Sequence, residues 1–130
     1  MTTGAKNKVL TTKEVAKRFN ELAQAGKWFE IQDELFSDDV ISDEPKGSEY
    51  FRPYQYAEGK GPVRKKGEEW VGKISELHSI ATSEPVLGAN HFAVGNVFDI
   101  TTQEFGRITI NEIMMYEVRN GQIISERFYY

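Results

Sequence analysis

The 130-residue chain carries 16 basic and 20 acidic residues, for a net charge of −4. That balance leaves no basic face to displace counterions from a nucleic acid or an anionic membrane, so neither is expected as a partner. With no cysteine, the chain has no disulfide framework, no thiolate metal site and no thiol nucleophile.

The length fits a single domain over residues 1–130, able to bury a core and enclose a pocket. Residues 1–10 are expected to be a flexible N-terminus. They lack the roughly 7–15-residue apolar run of a signal peptide, and no stretch approaches the ~20 apolar residues of a membrane span. A cytoplasmic location is therefore the expectation. Eight Phe, six Tyr and two Trp bring the aromatic content to 12%, which favours an aromatic core or cavity.

Thr11 followed by Glu14 is a capping-box signature, and Val15, Phe19 and Leu22 then recur at helical spacing. This predicts a helix over residues 12–25, stopped by Gly26. Trp28, Ile31 and Leu35 lie on one face of a second short helix. It runs into the acidic stretch "FSDDVISDEPKG", where Asp38 and Asp39 would end it and residues 40–43 would form a short strand. Residues 45–67 hold prolines and glycines with Tyr50, Phe51, Tyr54 and Tyr56 among them, and are expected to be a loop. The basic run "VRKKG" within them is followed by Glu68 and Glu69 and suits a solvated helix start. A third helix is predicted from Glu68, with Trp70, Ile74, Leu77 and Ala81 down one side until Pro85 closes it off.

Residues 86–130 have strand composition, and Asn120-Gly121 is a two-residue hairpin signal. The plan is α+β. A two-residue loop pairs Arg119 with Gln122, and an uninterrupted ladder then fixes the later pairs. One face would carry Asn111, Met115, Glu117, Glu126, Phe128 and Tyr130. The other would carry Glu112, Met114, Tyr116, Ser125 and Arg127. Neither face alternates cleanly into solvent, so both are expected to be covered, one by the helices and the other by a second subunit.

Among titratable groups, Glu44 precedes Pro45, which holds it extended. If Val40, Ser42 and Glu44 face inward, Glu44 enters the cavity and becomes a candidate general base; otherwise it belongs to a solvated acidic turn. Glu126 and Asn111 would share the face of Met115, Phe128 and Tyr130, with pairing of Glu126 to a loop lysine as the plain structural alternative. Glu112 and Arg127 suit an ordinary cross-strand ion pair. His78 sits at the margin of the predicted third helix. His91, beside Asn90, could line a cavity mouth or occupy a turn. Two isolated histidines offer no metal-ligand spacing, so no metal and no cofactor are expected.

The helix pair ending in "LFSDDVISDEP" and the closing meander "YEVRNGQIISERFYY" resemble the SnoaL-like group of the nuclear transport factor 2-like superfamily, similar to polyketide cyclases and ketosteroid isomerases. The resemblance runs from Thr11 to Tyr130. It implies a cone-shaped α+β roll of three N-terminal helices on a curved, mostly antiparallel sheet around a pocket, in a small bacterial protein. It also implies a ligand-binding pocket and a homodimer through the outer sheet face.

The aspartate that serves ketosteroid isomerases as base corresponds to Glu44. Their first-helix tyrosine corresponds to Phe19, and their protonated strand acid to Met114 or Met115. Losing such donors costs roughly 3 kcal/mol each, so steroid isomerisation is not expected. What the resemblance leaves is a small-molecule cyclase or isomerase with Glu44 as base, His91 and Asn111 orienting a carbonyl, and Glu126 as a second acid. Phe19, Trp28, Tyr54, Trp70, Met115, Phe128 and Tyr130 would wall the pocket around an apolar or aromatic molecule. The alternative is a non-catalytic binding or dimerisation module, which needs the walls but no poised acid.

Overall fold

The structure is a computed structural model that describes residues 9–51 and 55–130. Its elements run α1 (Thr12–Gln24), α2 (Trp28–Leu35), β1 (Phe36–Asp43), β2 (Tyr56–Glu58), α3 (Lys60–Gly72), β3 (Ile74–Thr82), β4 (Val86–Leu87), β5 (His91–Thr102), β6 (Gly106–Arg119) and β7 (Gln122–Tyr129). The sheet order is β2-β1-β7-β6-β5-β3, with β4 added beside β5. Among the described residues, only the β1–β7 pairing is parallel. The α+β plan holds, with helices against one face of a mixed sheet. Among the described residues, no helix is long and apolar enough to cross a membrane.

The capping box forms as its spacing requires. Glu14 N donates to Thr11 Oγ1 at 3.1 Å, and Thr11 N donates back to Glu14 Oε1 at 2.9 Å. Val15, Phe19 and Leu22 are buried, and Phe19 packs on Phe92, Tyr116 and Trp28 with ring centroids 4.7–6.0 Å apart. Such aromatic clusters combine large buried area with favourable edge-to-face geometry.

The third helix departs from expectation. It occupies Lys60–Gly72, and the segment expected to continue it is strand β3. Pro62 falls in the first turn, where backbone N–H groups have no intrahelical partner, so it costs nothing there. Gly61 and Gly67 lower the intrinsic propensity, but packing overrides it. Gly67 lets α3 close on α2, since a Cβ there would meet Phe29 Cε1 at 3.1 Å. Arg64 spans the same junction, its guanidinium 4.4 Å from the Phe29 ring centroid and 2.8 Å from Asp33 Oδ1. The spacing of Trp70, Ile74 and Leu77 suits a helix, but Ile74 and Leu77 pair with Thr102 and Ile100 in the sheet.

A second departure is a register shift in the last hairpin. Asn120 and Gly121 adopt φ of 52° and 76°, the left-handed pair that a type I′ turn needs. Arg119 pairs with Gln122 and Val118 with Ile123, but Glu117 then pairs with Ser125, leaving Ile124 as an extra residue. A one-residue insertion exchanges the faces of everything beyond it. Glu126 and Phe128 therefore pair with Tyr116 and Met114 and share their inner face. Arg127 and Tyr129 go outward with Met115 and Ile113.

Candidate functional site

Strand β1 also differs from the expected short strand. It begins directly after α2 at Phe36, so Asp38 and Asp39 are exposed strand residues at a register shift against β7. Beyond them Val40, Ser42 and Glu44 alternate inward and are buried. Glu44 sits at the end of this strand, with its backbone N–H donating to Gln55 O at 3.2 Å.

Helices and inner sheet face enclose a cavity of about 620 Å³. Phe19, Trp28, Trp70, Phe98, Tyr116 and Phe128 contribute aromatic walls, and Glu44, Lys66, Glu112 and Glu126 contribute charge. Lys66 is reached through α3. Val63, Lys66 and Trp70 follow one another at i, i+3 and i+7, the core-facing stripe of a helix. Val63 is 2% exposed and Lys66 8%.

The Lys66 ammonium donates to Glu44 Oε2 at 2.5 Å and to Ser42 Oγ at 2.9 Å. It lies 4.9 Å from the Phe128 ring centroid and 5.5 Å from that of Phe51, close enough for cation–π attraction. Ser42 in turn donates to Glu126 Oε2 at 2.6 Å; the two residues are register partners across the parallel β1–β7 pair. On the other side Tyr130 Oη donates to Glu44 Oε1 at 2.8 Å and lies 2.9 Å from Ser48 Oγ. Glu44 thus has both oxygens engaged. It reads as the counter-ion of a buried pair, whose partners satisfy one another because neither has water to turn to.

Glu126 and Glu112 differ from Glu44 in each having one oxygen without a hydrogen-bond partner among the described residues. Neither of those oxygens is among the sealed, unpartnered atoms of the described residues. Burial raises the Glu126 carboxyl above the usual range, opposed by the Lys66 charge and the Ser42 hydroxyl. Burial pushes Glu112 up to about 7, with the Asn96 hydrogen bond and the Lys66 charge opposing and the neighbouring Glu44 and Glu126 reinforcing. Burial also raises the Tyr130 phenol, helped by the adjacent Glu44 carboxylate. A carboxyl that holds its proton near neutrality can exchange it with a substrate at physiological pH.

Not every expected site residue gathers here. Glu44, Glu126, Phe19, Trp28, Trp70, Phe128 and Tyr130 line the cavity, and Tyr54 lies outside the described residues. Asn111 faces outward and exposed, because odd positions of β6 in this stretch point away from the helices. Met115 shares that outer face, half-buried. His91 is also outside, its ring 3.9 Å from Glu117, with about half of its side chain exposed. The expected grouping of Glu126 with Asn111 and Met115 is undone by the inserted Ile124. So is the expected Glu112–Arg127 pair: Arg127 lies 3.8 Å from Asp43 outside the sheet, and Glu112 is inside. His78 belongs to β3, where Nε2 is 2.7 Å from Thr101 Oγ1.

Lys66, Ser42 and Glu112 are the residues that sequence reasoning missed. The Val63, Lys66, Trp70 spacing was available once a helix was begun at residue 60, but the glycines and proline around it argued for a loop. Among the described residues, no group of three or more acidic or histidine side chains could hold a metal ion.

Residues 10–130 match the family model described as the SnoaL-like domain. A crystal structure from Mesorhizobium loti, named as a candidate SnoaL-like polyketide cyclase with the bracketed name carbohydrate phosphatase, is 33% identical. It superposes with a TM-score of 0.85, covering 93% of this chain and 100% of that one. An NTF2-like protein of unknown function from Burkholderia pseudomallei is 14% identical with a TM-score of 0.69, over 100% of this chain and 92% of that one. A candidate isomerase from Bacillus subtilis is 19% identical with a TM-score of 0.64, over 89% and 83%. The latter two likenesses concern the fold alone. No curated protein matches the chain.

Proposed function

This chain belongs to the SnoaL-like domain family, and on that premise we propose that its cavity binds a small apolar or aromatic carbonyl compound and moves a proton beside the carbonyl. Such a step underlies both cyclisation and isomerisation, the activities in the names of the Mesorhizobium loti and Bacillus subtilis neighbours. The observation that carries the reading is the linked trio of Lys66, Ser42 and Glu126, with the second oxygen of Glu126 unpartnered among the described residues.

Proton abstraction next to a carbonyl needs a base at the carbon and a stabiliser for the negative oxygen that develops on the adjacent atom. Glu126 is the base, its proton affinity raised by burial. Lys66 is the stabiliser. An ammonium has three N–H groups; Glu44 and Ser42 use two, and the third is available to a ligand oxygen. A cation at that oxygen takes the place of the donors that Phe19 and Met114 cannot supply. Because Lys66 and Glu126 share Ser42 as hydrogen-bond partner, base and stabiliser sit within reach of neighbouring substrate atoms. Glu44 and Tyr130 hold Lys66 in place.

The test is exchange of the α-protons of 2-tetralone in D₂O, followed by proton NMR. The wild type should accelerate exchange over buffer, Glu126→Gln should abolish the acceleration, and Lys66→Met should reduce it by ~10²–10³-fold. Saturable binding of the ketone with exchange no faster than buffer would instead favour the non-catalytic binding module.

A further inference from the structure

Of the three buried carboxyls that line the cavity, Glu112 is the one that this mechanism leaves unused, and its surroundings differ from those of the other two. Glu44 has Lys66 and Tyr130, and Glu126 has Ser42 backed by Lys66. Glu112, 7% exposed, receives a single hydrogen bond, from Asn96 Nδ2 at 3.2 Å. Asn96 is itself held by Thr82, whose Oγ1 donates to Asn96 Oδ1 at 2.8 Å. That bond points the amide N–H toward Glu112, so Glu112 Oε2 acts as an acceptor. Among the described residues Oε1 has no hydrogen-bond partner, and it is not one of their sealed atoms.

Of the charged residues that line the cavity, Glu44, Glu112, Glu126 and Lys66 are buried, whereas Lys27, Glu30 and Glu76 are exposed, and the Lys66 ammonium is already committed to Glu44 and Ser42. Among the described residues Glu112 has no direct ion-pair partner, the Lys66 charge acting on it only at a distance, and it is surrounded by apolar and aromatic groups such as Trp70, Phe98 and Ile110. Aromatic faces attract a cation, and a buried carboxylate is stabilised by one.

We propose that Glu112 and Asn96 form a subsite for a protonated amine, so that the ligand of this cavity is an aromatic or alicyclic body bearing a basic nitrogen. The inference rests on the cavity being a ligand site, and it names a class of ligand that the carbonyl chemistry alone does not. The amine donates to Glu112 Oε1 and lies against the aromatic wall, while Asn96 keeps Oε2. Binding brings a positive charge to the Glu112 carboxyl and favours its ionised form, so a proton leaves as the ligand enters.

Isothermal titration with 2-aminotetralin and its neutral isostere 2-tetralol, near neutral pH in two buffers of different ionisation enthalpy, tests this. The amine should bind roughly tenfold or more tighter than the alcohol and release a fraction of a proton, whereas the alcohol releases none. Glu112→Gln should erase the preference for the amine and leave alcohol binding intact. Equal affinities, proton uptake on amine binding, or an unchanged preference in Glu112→Gln would overturn the subsite while alcohol binding keeps the cavity reading standing. Failure of both probes to bind would overturn both. The proton count on the wild type decides the matter even if the variant does not fold.

Discussion

Replacing Glu112 by Gln should make this protein more stable at alkaline pH. Folding raises the Glu112 carboxyl from the ordinary 4.5 to about 7, chiefly by burial. Between those values the native state holds a proton that the unfolded chain has released, so stability falls as pH rises. The sign follows from the raised direction. The contribution is fully present below the unfolded value and is lost as pH passes through the folded one. A displacement of this size is worth roughly 3 kcal/mol at its limit. Gln keeps the side-chain length and an oxygen to accept from Asn96, and it cannot ionise.

In urea unfolding at about pH 8.5, the variant should be more stable than the wild type by up to ~3 kcal/mol, while at about pH 4 the two should be close. With the urea sensitivity usual for a small domain, the alkaline difference moves the midpoint by on the order of 1–3 M. Glu126 is raised in the same direction, so the variant keeps a residual slope of the same sign. Superimposable pH profiles for variant and wild type would refute the placement of Glu112 as a buried carboxyl with no direct ion-pair partner among the described residues.

Lys66→Met removes the cation paired with Glu44 and should cost ~3–5 kcal/mol, because it leaves a buried charge unpaired. Adding Glu44→Gln should recover much of that loss, since the second change removes the stranded charge. Urea midpoints of the four proteins check this, and simple additivity of the two single losses would contradict it. On the outer sheet face, Ile113 and Tyr129 are cross-strand partners, 52% and 54% exposed, with Val97 and Val86 also exposed. A two-fold partner presenting the same patch would cover it. Sedimentation velocity should therefore show a dimer that Ile113→Asp converts to monomer; a monomeric wild type at micromolar concentration would end that proposal.

Local rules were sufficient where a structure depends on neighbours in the chain. Thr11 and Glu14 cap α1 because the bonds close over three residues, and Asn120-Gly121 turns because both residues tolerate positive φ. That Val40, Ser42 and Glu44 share one face follows from strand period alone, while their burial is decided by packing. The rest needed contacts between distant segments. α3 exists where Gly67 lets it rest on Phe29, which no propensity scale contains. Its position decides that Lys66, outwardly a surface lysine in a basic run, is buried against Glu44.

The inserted Ile124 has the largest consequence. Nothing in "GQIISERFYY" marks it, because Ile123 and Ile124 are equally apolar and either could face inward. Tertiary packing chose Ile123, which is fully buried, and the pairing of β7 with both β1 and β6 placed the extra residue beside it. From the sequence alone come the α+β plan, the helix cap, the turn and a shared face for Val40, Ser42 and Glu44. Only the assembled sheet decided that Glu126 and Glu112 share one cavity with Lys66, because a strand's two faces differ by a single residue of register and long-range packing sets that register.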